Sequence, residues 1–280
     1  MTLKIVRNIL DLRKETASWR AMGLASAVVP TMGALHQGHL TLVREGLKRA
    51  DRVITTIFIN PKQFAATEDL GRYPRTEASD VAQLEDAGAH LVFAPAPDEV
   101  YPPGFATSVI MAGPAKAGLE DKFRPHFFDG VATVVAKLFT QSAADFAMFG
   151  EKDYQQLLVV KRMARDLDLP IEVVGVPTVR EENGLALSSR NAYLSKAEHH
   201  QAASLFRFLS QAAVKIRDGQ KPTRATAAAR RALTTRGFRV DYVAARNAET
   251  LALPRTPDEP IRLLAAVWLG STRLIDNIAV

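Results

Sequence analysis

Five short runs of apolar and β-branched residues punctuate the first 177 positions: SAVVP, RVITTIFIN, HLVFAP, DFAMFG and IEVVGVP. Between them lie the amphipathic segments HLTLVREGLKRA, TEASDVAQLEDAGA, GVATVVAKLF and YQQLLVVKRMARDL. A continuous apolar run bounded by turn residues is the pattern of a strand buried on both faces, and an intervening helix is what a parallel connection needs. The alternation therefore predicts a Rossmann-like, doubly wound parallel α/β sheet that presents ligands at the carboxyl ends of its strands. After Pro177 the pattern changes to a polar turn (REENG), helices around 195–217 and 223–236, and the strand-like runs RVDYVAA and IRLLAAVWLG. We expect a boundary there, with residues 1–177 forming the sheet domain and residues 178–280 a smaller α+β domain.

The chain has no Cys, which excludes disulfides, thiolate zinc sites, iron–sulfur clusters and cysteine nucleophiles. Its net charge of +6 opens three classes of partner: nucleic acid, an acidic membrane surface, or an anionic small molecule. Residues 1–177 hold 20 Lys and Arg against 21 Asp and Glu, whereas residues 178–280 hold 16 against 9, so the whole excess falls in the second domain. The opening MTLKIVRNILDLRKE interleaves charged and apolar residues and reads as neither signal peptide nor anchor. An uncharged stretch from Met22 to Val43 carries Pro30, three glycines and two histidines, which a bilayer-spanning helix would not. No membrane span and a cytoplasmic location are expected.

The sharpest local pattern is PTMGALHQGHLTLV. A strand runs into a turn at Gly33, followed by His36 and Gly38, and His39 opens a helix. The glycines let the backbone approach a ligand, and a helix N-terminus offers unpaired N–H groups to an anion. Two imidazoles there can donate to phosphate oxygens and, because their charge changes near neutrality, can also stabilise negative charge building on a phosphate under attack. A metal-binding pair and plain capping or core histidines are the competing readings. The position after the first strand of a parallel sheet favours the ligand reading.

Three more segments carry chemistry. In FGEKDYQQL, Gly150 permits close approach, Lys152 is a mobile cation, and Asp153 can cap the following helix or accept from a hydroxyl. In NPKQF, Asn60 before Pro61 is a turn signal and Gln63 offers an amide. In LSSRN, Ser188, Ser189 and Arg190 form a potential oxyanion clamp, or equally a turn with a solvated Arg.

Taken in order, H-x-G-H, NPKQF with YPRT, GVATVVAKLF, FGEKDYQQL and PTVREENGLALSSRN resemble the pantothenate synthetase (pantoate–β-alanine ligase) family of the nucleotidyltransferase superfamily, over more than half the chain. The resemblance implies an ATP-dependent ligase that joins pantoate to β-alanine through a pantoyl-adenylate, releasing AMP and pyrophosphate. It implies Met32, His36, His39, Gly150, Lys152, Asp153, Val179, Ser188, Ser189 and Arg190 around ATP, with Lys152 and the Ser-Ser-Arg run on the phosphates. Gln63 and Gln156 would face each other across pantoate, and Tyr73 would help close that pocket or serve as a core aromatic. ATP as substrate with Mg²⁺, no tightly bound organic cofactor, no nucleic-acid partner and a homodimer are implied, together with a second domain that closes as a lid. No residues are assigned to the metal.

Two departures stand out. The family more often has R-P-G-H-F, where this chain has Arg124-Pro125-His126-Phe127-Phe128, so Phe127 occupies the usual His position. Asn183 and Leu187 replace a common Asp and Met, changes that preserve turn chemistry and apolar volume. A nucleic-acid-binding relative is disfavoured because no anticodon-type domain or aromatic-rich basic strand is present. A nucleotidyltransferase that keeps the nucleotide in its product gives no reason for the Gln63/Gln156 pair.

Overall fold

The computed structural model describes residues 3–65, 68–256 and 258–280. Six strands, β1 (Lys4–Val6), β2 (Ser26–Thr31), β3 (Arg52–Ile57), β4 (Leu91–Phe93), β5 (Phe146–Gly150) and β6 (Glu172–Val176), form one parallel sheet in the order β1-β4-β3-β2-β5-β6. Its helices are α1 (Ile9–Ala21), α2 (Gln37–Leu47), α3 (Glu77–Asp86), α4 (Pro97–Val100), α5 (Glu120–Phe123), α6 (Phe127–Ser142) and α7 (Tyr154–Asp166). The chain then forms α8 (Lys196–Ala202), α9 (Ser204–Arg217) and α10 (Pro222–Thr235), followed by an antiparallel sheet of β7 (Arg239–Asn247), β8 (Ile261–Leu269) and β9 (Thr272–Ala279).

This is the Rossmann-like α/β sheet with a smaller α+β unit that the apolar pattern predicts. Burial of β2 shows why its run is continuously apolar: Val28 packs into one core with Phe128, Val131 and Val160, while Ala27 and Val29 pack into the opposite core with Leu40, Val43 and Leu84. Helices cover both faces, so the buried strand positions are mostly apolar, with small hydroxyl residues such as Thr55 and Thr56 the exceptions. Likewise α6 buries residues around most of its circumference. The third core joins α9 and α10 to the antiparallel sheet through Leu205, Leu209, Leu233, Leu263 and Val267.

Two strands lie outside the sequence reading. β1 is a three-residue edge strand with only Val6 buried, too short to show a period. β9 (TRLIDNIA) has no apolar–polar alternation, and buried Asp276 and Asn277, on opposite faces and both 3% exposed, interrupt its apolar signal. Strand order reverses between β2 and β5, which lie side by side, with their following helices departing to serve opposite halves of the sheet. A crevice outside the carboxyl ends of these two strands is where an open α/β sheet holds ligands.

Candidate active site

The turn after β2 is built by a distant carboxylate. Gly33 (φ +79°) and Ala34 (φ +51°) are both left-handed, a conformation disfavoured at alanine. Asp80 of α3, 1% exposed, compensates by accepting from Ala34 N at 3.0 Å and Leu35 N at 2.8 Å, with Thr76 Oγ1 donating to it at 3.1 Å. A side chain at Gly33 would also press against Asp80.

This turn delivers His36 to the N-terminus of α2, where the two histidines cap the helix reciprocally. Gly38 N donates to His36 Nδ1 at 3.1 Å, and His36 N donates to His39 Nδ1 at 3.3 Å. The rings stack with centroids 4.0 Å apart. Because each Nδ1 accepts, each proton sits on Nε2, leaving an N–H donor on each ring for a ligand. Gly38 is required here, since a Cβ would lie 2.8 Å from the His36 ring.

Burial pushes the His36 imidazole down to about 4, reinforced by Lys152 and opposed by Asp153. His39 is pushed down to about 3, again mainly by burial, then by His36 and Lys152. This corrects the expectation of histidines that change charge near neutrality. Both rings are neutral donors at pH 7, and the positive charge beside them belongs to Lys152.

Lys152 comes from the facing strand, in the turn Glu151–Asp153 that follows Gly150 at the end of β5. Its Nζ lies 3.8 Å from Asp153 Oδ2, too far for a firm hydrogen bond. The Ser-Ser-Arg segment begins another short turn, Ser189–Tyr193, in which Ser188 Oγ accepts from Arg190 N at 3.2 Å. The Ser189 hydroxyl meets the hydroxyl of buried Tyr73 at 3.1 Å, so Tyr73 joins the loop around residue 73 to the Ser-Ser-Arg run. Asn183 keeps its turn by accepting from Leu185 N at 2.9 Å, and Val179 accepts from Leu187 N at 3.0 Å.

The amide site is also held from behind. Gln63 donates to Met32 Sδ at 3.1 Å and accepts from Asn60 Nδ2 at 3.0 Å. Asn60, 1% exposed, also donates to Gly130 O and accepts from Tyr101 Oη at 2.7 Å. The glycine of GVATVV is there because a Cβ on Gly130 would fall 2.2 Å from Lys62 O, so α6 packs directly on the Pro61–Gln63 backbone. Arg124 donates to Gln63 O at 3.2 Å, pairs with Glu68 at 2.6 Å and lies 3.8 Å over the Phe127 ring. Phe127 is thus a buried cavity wall, while His126, one position earlier, is exposed and does not occupy its place.

All of the residues singled out from the sequence line one cavity of about 620 Å³: Met32, His36, His39, Gln63, Gly150, Lys152, Asp153, Gln156, Val179, Ser188, Ser189 and Arg190, with Tyr73 beside them. The lining thus combines histidine and lysine donors, the amides of Gln63 and Gln156, and apolar wall residues that include Phe127, Val131 and Val134. Asp80 and Tyr101, which support these groups, carried no recognisable sequence signal, and Asn60 was legible only as a turn residue. Among the described residues no three His, Asp or Glu side chains gather into a metal-binding group, and no helix is long and apolar enough to cross a membrane.

A family model described as pantoate-beta-alanine ligase matches residues 4–279. A pantothenate synthetase from Bradyrhizobium sp. is 54% identical over 100% of this chain and 99% of its own, and one from Caulobacter vibrioides is 54% identical over 99% and 98%. Among solved structures, pantothenate synthetase from Thermus thermophilus superposes with a TM-score of 0.91 at 45% identity, covering 99% of both chains. The Francisella tularensis pantoate-beta-alanine ligase complexed with beta-gamma ATP and beta-alanine gives a TM-score of 0.82 at 29% identity, covering 99% of this chain and 97% of its own.

Proposed function

The chain belongs to the pantoate-beta-alanine ligase family and is a ligase of pantoate and β-alanine that uses ATP, and from that premise we propose how its residues divide the work. In the first step a pantoate carboxylate oxygen attacks the α-phosphorus of ATP, the bond to the β-phosphate oxygen breaks, and pyrophosphate leaves. In the second, the β-alanine nitrogen attacks the acyl carbon, AMP leaves, and the ammonium proton passes to solvent. The substrates supply both nucleophiles, so the protein contributes position and charge.

His36 and His39 donate from Nε2–H to the α-phosphate oxygens at the N-terminus of α2. Neutral donors suit this place, because a buried imidazolium would cost desolvation before the phosphate arrived. Lys152, with Ser188, Ser189 and Arg190, neutralises the charge that builds on departing pyrophosphate. Gly150, Asp153, Val179 and Met32 border the nucleoside. Gln63 and Gln156 bind the pantoate hydroxyl and carboxylate groups against the apolar wall, and a substrate lacking a hydroxyl would forfeit hydrogen bonds to these half-buried amides. Among the described residues no carboxylate group is gathered to hold Mg²⁺, so an ion accompanying ATP would be held largely by phosphate oxygens and water and would offset phosphate charge.

We also assign residues 1–177 as the domain that binds ATP and pantoate and residues 178–280 as a lid that keeps water from the adenylate. A cytoplasmic homodimer is part of this reading. Exposed Ile5 on edge strand β1 and Leu10 on α1 support a partner surface.

The observation that carries the assignment is that one cavity at the strand-order reversal is lined by His36, His39 and Lys152 together with Gln63 and Gln156. The test is AMP and pyrophosphate release. Pantoate and ATP alone should support pyrophosphate exchange into ATP, and β-alanine should be needed for AMP turnover. AMP turnover independent of pantoate would overturn the reading.

A further inference from the structure

The unit carrying β7–β9 meets the parallel-sheet unit through two buried polar clusters. In one, Arg273 pairs with Glu120 at 2.6 Å and Asp241 at 2.9 Å. The other reaches the turn that carries Lys152. Asn277 of β9, 3% exposed, donates from Nδ2 to Glu151 O at 2.9 Å and to Lys152 O at 2.8 Å. Its Oδ1 accepts from Arg262 Nε at 2.6 Å, and Arg262 in turn pairs with the Glu151 carboxylate at 3.0 Å and lies 4.1 Å over the Tyr154 ring.

We infer that Asn277 is a positioning residue for Lys152, an inference that rests on the role proposed above for that lysine. An Asn amide has two donor hydrogens, and here both go to successive carbonyls of one turn. Those carbonyls belong to the two peptide planes on either side of the Lys152 Cα. Fixing both planes fixes φ and ψ of Lys152, and so the direction in which its side chain leaves the backbone. The preceding Gly150 has no side chain with which to do this, and among the described residues the Lys152 ammonium has only its loose contact with Asp153. The aim of the lysine is therefore set by a strand of the other unit, and Lys152 is fully directed at the phosphates only while β9 is docked.

The test is a double-mutant cycle on pantoate-dependent ATP–pyrophosphate exchange, using N277A, K152A and the double variant. A misdirected lysine should lower the exchange rate of N277A by about tenfold to a hundredfold, with the KM for β-alanine in the full reaction unchanged. In the K152A background the same substitution should cost less than twofold, because there is no longer a lysine to aim. A purely structural Asn277 would cost the same factor in both backgrounds, and that additivity would overturn the proposal, as would an N277A rate within twofold of wild type. If K152A itself exchanges at the wild-type rate, the role of Lys152 fails and the proposal with it, whereas a large K152A loss with additive N277A overturns the positioning alone. N277S, which keeps one donor, replaces N277A in the cycle if the alanine variant does not fold, and is judged by the same criteria.

Discussion

His39 Nδ1 accepts from the backbone N–H of His36 at 3.3 Å, so the second histidine of the pair holds the first in its capping position while both rings keep a proton on Nε2. Burial keeps the two rings neutral, with pKa values pushed down to about 4 and about 3. Between the ordinary value of 6.5 and about 4, the unfolded chain takes up protons at both positions and the folded chain does not. Stability contributed by these neutral rings is complete above pH 6.5 and falls as pH drops through that window, by up to about 1.4 kcal/mol per unit for each. Nitrogen-detected NMR of the free protein should show two neutral Nε2–H imidazoles at pH 7 that stay neutral at pH 5. Titration of either ring near 6.5 would contradict this.

The same geometry makes Gly38 a sensitive position. G38A places a methyl 2.8 Å from the His36 ring, and the nearby atoms are a ring that must hold its hydrogen bonds. His36 must swing away, breaking the cap. The expected result is a loss of about 1–3 kcal/mol in stability from overpacking and a fall in adenylation larger than the unfolded fraction explains. Denaturant melts and exchange rates measured on the same preparation check it.

H36A and K152A remove donors that act on developing phosphate charge. Each should fold, and each should slow pantoate-dependent pyrophosphate release by about 10²–10³-fold, the scale of losing one oxyanion donor. Binding of β-alanine should change little, since neither residue belongs to its step. Pyrophosphate release near the wild-type rate would sink the assigned roles.

The sheet and most of its helices were legible because burial on two faces leaves a continuous apolar run that no loop imitates. Candidate residues were legible where a turn sits at a strand end: His36 after β2 and Lys152 after β5 are next to the glycines that expose them. Their supports were not. Asp80 acts on a turn 46 positions earlier, and Asn277 acts on carbonyls 125 and 126 positions earlier. A side chain that serves a distant backbone has no spacing to read. The charge state of the histidines was misread for the same reason: burial comes from tertiary packing and is absent from the local motif.

Tyr101 tests the hidden support of the amide site. Its hydroxyl donates to Asn60 Oδ1 at 2.7 Å, and Asn60 in turn donates to Gln63 Oε1, so the orientation of the Gln63 amide depends on the tyrosine. Burial raises the Tyr101 pKa, so the hydroxyl stays a donor throughout the working range. Y101F should cost about 1 kcal/mol of stability and raise the KM for pantoate, leaving the KM for ATP near its original value. Steady-state kinetics with each substrate varied in turn separates the two.

Asp80 carries the whole entry into the histidine helix. Its carboxylate satisfies two adjacent backbone amides at the left-handed turn of Gly33 and Ala34, and it is almost fully removed from water. In D80A those N–H groups lose their acceptor in a place solvent reaches poorly, each at a cost of about 1–3 kcal/mol. The alanine at position 34 then has no compensation for its strained backbone and should relax toward an ordinary conformation, carrying His36 out of register with His39. D80N keeps the shape and one accepting oxygen, so it should fall between wild type and D80A both in denaturant midpoint and in exchange rate. If D80A instead lost stability but kept the full exchange rate of its folded fraction, the turn would hold His36 without the carboxylate, and the link from Asp80 to the histidine pair would be wrong.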